Sequence, residues 1–392
     1  MIVSIRANIR NLFIIQALRW FLLIMPTIVL FYQQSGLSIR DIFILQSIYS
    51  ISIIVMEIPT GYFADVLGRK LTVLISCILS FLGLLIYSFA HNFWSFVAAE
   101  LTIGFGSSFL SGTDSALLYE SLAELDEEER YKFSESRMQS ISHFSESIAS
   151  VLGSVVASYG LRKPFYIETA LLFLSIPFAL LLKEPVRERV QNKRNLRKEI
   201  LKIVKYTIHD HAEVKWLVCY SGTTVAATLT AVWLVQPFLN QMSVPLVFFG
   251  IIWAALNAFV GFSSFYSHKY EELIGRRLTL ISLILIACLG YLLLGISSTP
   301  YAITFFFLFY MVRGFSGPIL DDYVNTIITS NMRATVLSVK SLAGRLLFVI
   351  VGPFIGWITD VYSLQAAILA SGGIFCIMGF ICLLFLHKNH AL

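Results

Sequence analysis

Charged and hydrogen-bonding side chains recur at helical spacing inside stretches of this sequence that are otherwise apolar. Gln16 and Arg19 stand one turn apart within 11–33. Gln46, Ser50 and Glu57 share a face of 41–63, with Tyr49 beside them. Glu100, Ser107, Ser111 and Asp114 form a polar stripe along 93–120. Glu135, Gln139, Ser142, His143, Glu146 and Ser150 occupy one face of 135–159, with Arg137 off to the side. Tyr310, Arg313, Gly317 and Asp321 stand in register, followed by Asp322, and Lys340 and Arg345 share a later run. Charge in hydrocarbon costs several kcal/mol unless it is paired or hydrated. Each such residue therefore marks an ion pair, a solute contact or a proton relay.

The residue types sort these roles. Arg19 either holds an anionic group of a solute or pairs with Glu57 or Asp114. Arg345 either pairs with Asp321 or Asp322 or binds solute. Gln16, Tyr49, Ser111, Tyr220, Thr224, Asn257 and Arg313 complete the candidate solute contacts. Glu146 beside His143 is the first candidate for carrying a proton, because a buried carboxylate next to an imidazole can exchange one near neutral pH. Glu57 and Asp114 follow it, and the competing reading is a buried pair that ties two helices together. Asp114 and Asp321 also suit a gate. Trp233 and Trp253 read as packing or interfacial anchors, or as stacking rings. The five cysteines are scattered through apolar runs, so neither disulfide nor metal ligation is suggested. His209 and His211 belong to a charged, solvated stretch. No nucleotide loop, metal-ligand cluster or nucleophile elbow occurs, which argues against an enzyme and against a resident cofactor.

The elements that must carry these residues follow from composition. The chain is 57% hydrophobic and 14% charged, with mean hydropathy +0.77, whereas soluble domains hold about 25% charged residues. Such a chain dissolves in lipid. A spanning helix needs about 20 mostly apolar residues. Twelve runs meet that need: 11–33, 41–63, 70–90, 93–120, 135–159, 164–183, 214–239, 245–268, 276–297, 300–328, 335–358 and 363–387. A charged stretch, 184–213, divides them into halves 1–183 and 214–392. No short apolar segment with a cleavage site opens the chain, so no signal peptide is expected. With the N-terminus in the cytoplasm, 21 of the 29 Lys and Arg fall on the cytoplasmic side and 3 on the other, the remaining 5 lying inside runs. That asymmetry places both termini in the cytoplasm and explains the net charge of +5 without a nucleic-acid partner.

The chain also repeats. Gly68-Arg69-Lys70-Leu71-Thr72 recurs as Gly275-Arg276-Arg277-Leu278-Thr279, an offset of 207 that sets Asp65 on Glu272 and Asp114 on Asp321. Arg130, Arg137 and Gly153 match Arg333, Lys340 and Gly356 at an offset of 203. Two like-oriented sets of six spans imply a pseudo-two-fold axis along the membrane normal and a substrate site between the sets near the midplane.

The turn Gly61-x-x-x-Asp65-x-x-Gly68-Arg69-Lys70 after the second run, with twelve spans and this repeat, resembles the major facilitator superfamily over nearly the whole chain. Glu57-Ile-Pro-Thr-Gly61, and Ser111 to Glu120, resemble a bacterial branch of small-solute transporters. The resemblance implies an all-α fold of two six-helix halves, with spans one, four, seven and ten lining a central path and spans three, nine and twelve as lipid-facing supports. It implies that Asp65 faces a helix start near Arg333 and that Arg69 pairs with Glu120 to latch the cytoplasmic side. Glu272 and Arg276 would form a weaker twin against span five near Arg130. In the turn itself, Gly61 would let backbone approach closely and Gly68 would permit the tight bend.

The expected function is a monomeric secondary transporter in a bacterial cytoplasmic membrane. Its partners would be a small polar or anionic solute, protons and the lipid bilayer. Efflux of amphipathic drugs by proton antiport is the alternative within the class. Against it, span five lacks the Gly-Pro of such antiporters and span one carries Arg19 where several multidrug members carry an acid. A membrane sensor on a transporter scaffold is the alternative of another class.

Overall fold

The apolar runs become helices because lipid leaves no other partner for backbone N–H and C=O groups. The computed structural model describes residues 5–186, 211–328 and 332–389, and among these every regular element is helical. Most of the charged stretch, including His209, lies outside the described residues. The helices are α1 (Arg6–Arg19), α2 (Ile28–Gln34), α3 (Ile39–Leu67), α4 (Arg69–Phe89), α5 (Phe93–Leu110), α6 (Thr113–Ala123), α7 (Tyr131–Ser158) and α8 (Lys163–Leu180). Then follow α9 (Ala212–Gln241), α10 (Val247–Ile296), α11 (Phe306–Ile327), α12 (Arg333–Val361) and α13 (Leu364–Lys388), with short 3₁₀ turns at Glu128–Arg130 and Pro300–Phe305.

Among the described residues, nine helices are long and apolar enough to cross a membrane. Two departures from the expected runs have physical causes. The run 11–33 is two helices, with 20–27 non-helical around Pro26, which lacks the N–H a continuing helix needs. The run 93–120 is α5 and α6, broken where Gly112 turns left-handed at φ 71°. The expected runs 245–268 and 276–297 lie on either side of a kink in α10, where Gly275 departs from helix, at φ 75° and ψ 162°. Gly68, its repeat partner, separates α3 from α4 with φ 102° and ψ 155°. A residue with a Cβ would be strained at both turns, so the repeated glycines are backbone requirements.

The chain divides into two compact units. The first holds Met1–Leu37, Ile48–Val190 and Pro245–Ala254; the second holds Ser38–Ser47, Gln191–Val244 and Ala255–Leu392. In the first, α4 packs chiefly on α5 and α8, around a core that includes Leu12, Ile15, Val73, Cys77 and Leu117. In the second, α9 is the most deeply buried span and packs on α11, α12 and α13. Two buried tyrosines fasten it: Tyr220 donates to the Leu280 carbonyl at 2.6 Å, and Tyr291 donates to that of Ala227 at 2.6 Å.

Candidate functional site

The break after α1 is held by a carboxylate. Ile24 N donates to Glu168 Oε2 of α8 at 3.0 Å, and Glu168 is buried. Gly153 of α7 packs so closely on this segment that a Cβ there would overlap the Leu23 carbonyl. Proline alone does not break these helices, since Pro59, Pro177, Pro237, Pro318 and Pro353 all lie inside continuous ones. In 20–27 the freed Ile24 N–H has a side-chain acceptor in Glu168. Sequence reasoning left Glu168 unassigned. A lone acid in an apolar run, with a prolyl break elsewhere in the same half, is the signal that could have found it.

Arg19, the last residue of α1, is half-buried. Its Nη1 donates to Ser80 Oγ at 2.7 Å, Ser76 Oγ at 3.1 Å and the Ser76 carbonyl at 3.3 Å, all on α4. Of the two alternatives for Arg19, an ion pair with Glu57 or Asp114 does not form among the described residues. The partners of Arg19 are on α4, read from the resemblance as a lipid-facing support, which supplies serines one turn apart. Gln16 Nε2 donates to Ser142 Oγ of α7 at 2.9 Å.

Asp114 lies in the first turn of α6 and accepts from Ser115 N at 2.9 Å. Ser115 Oγ reaches Glu135 Oε1 at 3.0 Å, and Gln139 Nε2 donates to the same oxygen at 3.3 Å. Asp114 therefore joins Ser115, Glu135 and Gln139 in one polar cluster. Glu146 is half-buried and accepts from the buried Trp253 Nε1 at 3.3 Å. Among the described residues no hydrogen bond joins it to His143, which is exposed. Tyr49 OH reaches Ser107 Oγ at 3.4 Å, and Ser111, at the end of α5, is exposed. Glu57 is half-buried on α3.

In the repeated turn, Arg69 stands 3.3 Å from Glu120 and 3.2 Å from Asp65, whose side chain is largely exposed. Glu184 adds a contact that the sequence reading missed: its two oxygens accept from Arg69 N and Lys70 N, each at 2.8 Å. A carboxylate there complements the positive end of α4. At the other end of the same helix, Arg162 donates to the carbonyls of Ser88 at 2.9 Å and Ala90 at 2.8 Å. Gly61 does not serve close packing here, because a Cβ would meet nothing within 4 Å.

In the second unit the twin turn finds other partners. Arg276 pairs with Glu213 of α9 at 2.7 Å and lies 4.7 Å above the Tyr323 ring. Tyr323 in turn donates to Glu271 Oε1 at 3.0 Å. Glu272 stands 3.6 Å from His268. Asp321 pairs with Lys340, which leaves Arg345 half-buried on α12 without an ion pair among the described residues. Arg313 is exposed, Asn257 is half-buried, and Arg333 donates to the Asn325 carbonyl at 3.2 Å. Tyr220 and Thr224 are buried, and their hydroxyls donate to the carbonyls of Leu280 and Ser221.

The sequence profile of the Major Facilitator Superfamily matches residues 12–346. The chain belongs to the major facilitator superfamily. It is thus a multi-pass membrane protein with a transporter fold rather than an enzyme's. No curated protein matches it. Among solved structures, a substituted form of the nucleoside transporter NupG superposes with a TM-score of 0.83 at 14% identity, covering 97% of this chain and 100% of that one. A bacterial homologue of the human lysosomal transporter Spinster gives 0.75 at 14% identity, covering 97% and 96%. A D-xylose–proton symporter gives 0.71 at 15% identity, covering 97% and 96%. At these identities the likeness shows the fold.

Proposed function

We propose that this chain is a proton-coupled secondary transporter that moves a small polar or anionic organic solute by alternating access across the cytoplasmic membrane of a bacterium. In this reading the chain crosses twelve times with both termini in the cytoplasm. Residues 1–183 and 214–392 are the moving halves, joined by 184–213, and the unit of function is a monomer. Gln16, Arg19, Tyr49, Ser111, Tyr220, Thr224, Asn257, Arg313 and Arg345 supply the solute contacts. The Asp65–Arg69–Glu120 group and Glu272, Arg276, Asp321 and Arg333 act as gates.

The observation that carries the reading is Arg345. A guanidinium half-buried on a membrane span, without a carboxylate among the described residues, calls for an anionic group or water. Proton coupling is supported by Glu146, whose described partner is a neutral indole rather than a cation, with His143, Glu57 and Asp114 as further members of the relay. A solute screen by thermal shift, followed by uptake of the labelled hit into proteoliposomes, tests both assignments. Arg345→Gln is expected to lower uptake about tenfold or more, the loss of one charge-assisted pair. Glu146→Gln is expected to abolish the response to an imposed pH gradient while solute exchange persists. Full gradient-driven accumulation by Glu146→Gln would remove that residue from the coupling path. Binding without any transport by the native chain would favour a sensor.

A further inference from the structure

Four arginines of the first unit surround one pocket. It has a volume of about 400 Å³ and is walled by Arg6 and Arg10 of α1, Arg130 at the end of the 3₁₀ turn and Arg137 of α7. Phe13 and Phe133 supply apolar walls. Glu127 is the acid among the lining residues, and both its oxygens are taken: Arg6 holds Oε1, and Arg130 holds Oε2 at 2.7 Å. Arg10 and Arg137 form no ion pair among the described residues. The Arg137 guanidinium instead lies 5.5 Å from the centre of the Phe13 ring.

The repeat supplies an independent comparison. Lys340, the counterpart of Arg137, is neutralised by Asp321. Asp114, the counterpart of Asp321, belongs to the Glu135 cluster and leaves Arg137 to the pocket. One carboxylate against four guanidinium groups leaves an excess of three positive charges around an open pocket. Guanidinium forks match the oxygens of a phosphate group, two N–H donors per fork. The volume exceeds a bare phosphate, and the phenylalanines suit an attached organic portion.

We propose that this pocket binds a phosphate-bearing anion, held by the forks of Arg10 and Arg137 and flanked by Arg6 and Arg130. With the orientation proposed above it opens at the cytoplasmic face, where both phospholipid head groups and soluble phosphate compounds are available. The assignment does not rest on transport.

The test uses the full chain in phosphatidylcholine nanodiscs. One arm titrates inorganic phosphate and follows thermal stability. The other dopes the nanodiscs with phosphatidic acid and counts retained lipid by native mass spectrometry. Saturable binding is expected in at least one arm. Saturation with inorganic phosphate indicates a soluble ligand, and saturation confined to the doped nanodiscs indicates a lipid head group. Arg10→Gln with Arg137→Gln should weaken binding about tenfold or more. Glu127→Gln, which frees Arg6 and Arg130, should strengthen it several-fold. Should the double variant fail to fold, Glu127→Gln still decides, and unchanged or weaker binding by it overturns the proposal. So does the absence of saturation in both arms, or native affinity in a folded Arg10→Gln/Arg137→Gln chain.

Discussion

The two halves of the repeat carry matching charges in matching register and use them differently. Lys340 closes on Asp321 in the second unit. Their counterparts Arg137 and Asp114 stay apart in the first, the acid in a cluster with Ser115 and Glu135, the base against Phe13. The leading helices differ in a parallel way. In the second unit α9 runs unbroken through Pro237, while in the first unit the chain stops at α1, crosses 20–27 and restarts as α2. The offset of 203 that sets Gly153 on Gly356 also sets Glu168 on Ser371. Ser371 spends its hydroxyl within its own helix, on the Ala367 carbonyl, at 2.7 Å. Glu168 instead reaches out to the freed backbone of the break. A membrane helix can stay broken only where a neighbour satisfies the exposed groups, and Glu168 is such a neighbour in the first half, where the repeat places Ser371 in the second.

The sharpest way to break this comparison is at the paired glycines. A methyl group on Gly153 would overlap the Leu23 carbonyl, and one on Gly356 would stand 2.7 Å from Arg40 Cα. Both touch backbone, which cannot rotate away, but the overlap is deeper at Gly153. Gly153→Ala is expected to cost about 3 kcal/mol and Gly356→Ala less, about 1–2 kcal/mol, set against a helix-propensity gain of up to ~1 kcal/mol in each. Gly61→Ala, with open space around it, should be neutral or slightly stabilising. Denaturant melts of the full chain in detergent give the order, and a Gly153→Ala chain as stable as Gly61→Ala would mean the break is not clamped.

The next effect concerns the acid itself. Removing the acceptor leaves the buried Ile24 N–H without that partner, a penalty of about 1–3 kcal/mol. Glu168→Ala should therefore cost about 2 kcal/mol, and Ser371→Ala about 0.5 kcal/mol, since a back-bonded serine adds little to its own helix. Glu168→Gln retains a carbonyl oxygen and should recover part of the loss. Equal costs at 168 and 371 would erase the distinction between the halves.

These contrasts mark how far the sequence could be read. The membrane class and family were legible because apolar runs and the Gly68–Lys70 turn are local signals. Gly68 and Gly275 could be placed as turns for the same reason: their conformations belong to single residues. Pro26 and Gly112 also lay in plain view. Whether a helix ends at such a residue depends on a partner many residues away, and five other helix prolines show that the local signal is insufficient. Side-chain pairing was less legible still. The Arg69–Glu120 proximity came with the family resemblance. Arg19 turned to the hydroxyls of Ser76 and Ser80 instead of to an acid, and Arg276 took Glu213, because the choice among partners is made by the distances between helices.

The smallest expected effect tests the unequal charge pairs directly. The Lys340 side chain is 11% exposed and that of Asp321 46% exposed, so the pair is partly screened and worth about 1 kcal/mol at most. Lys340→Gln should lower stability by about that much, because Asp321 is left without its cation. Arg137 has no carboxylate to strand, and Arg137→Gln should fall within about 0.5 kcal/mol of the native chain. Raising the salt concentration should narrow the gap, since screening weakens the partly exposed Lys340–Asp321 pair in the native chain and has no equivalent pair to act on at Arg137. If instead Arg137→Gln proves as costly as Lys340→Gln, then Arg137 has a counter-charge of its own. The two halves would then be electrostatically alike despite their different helices.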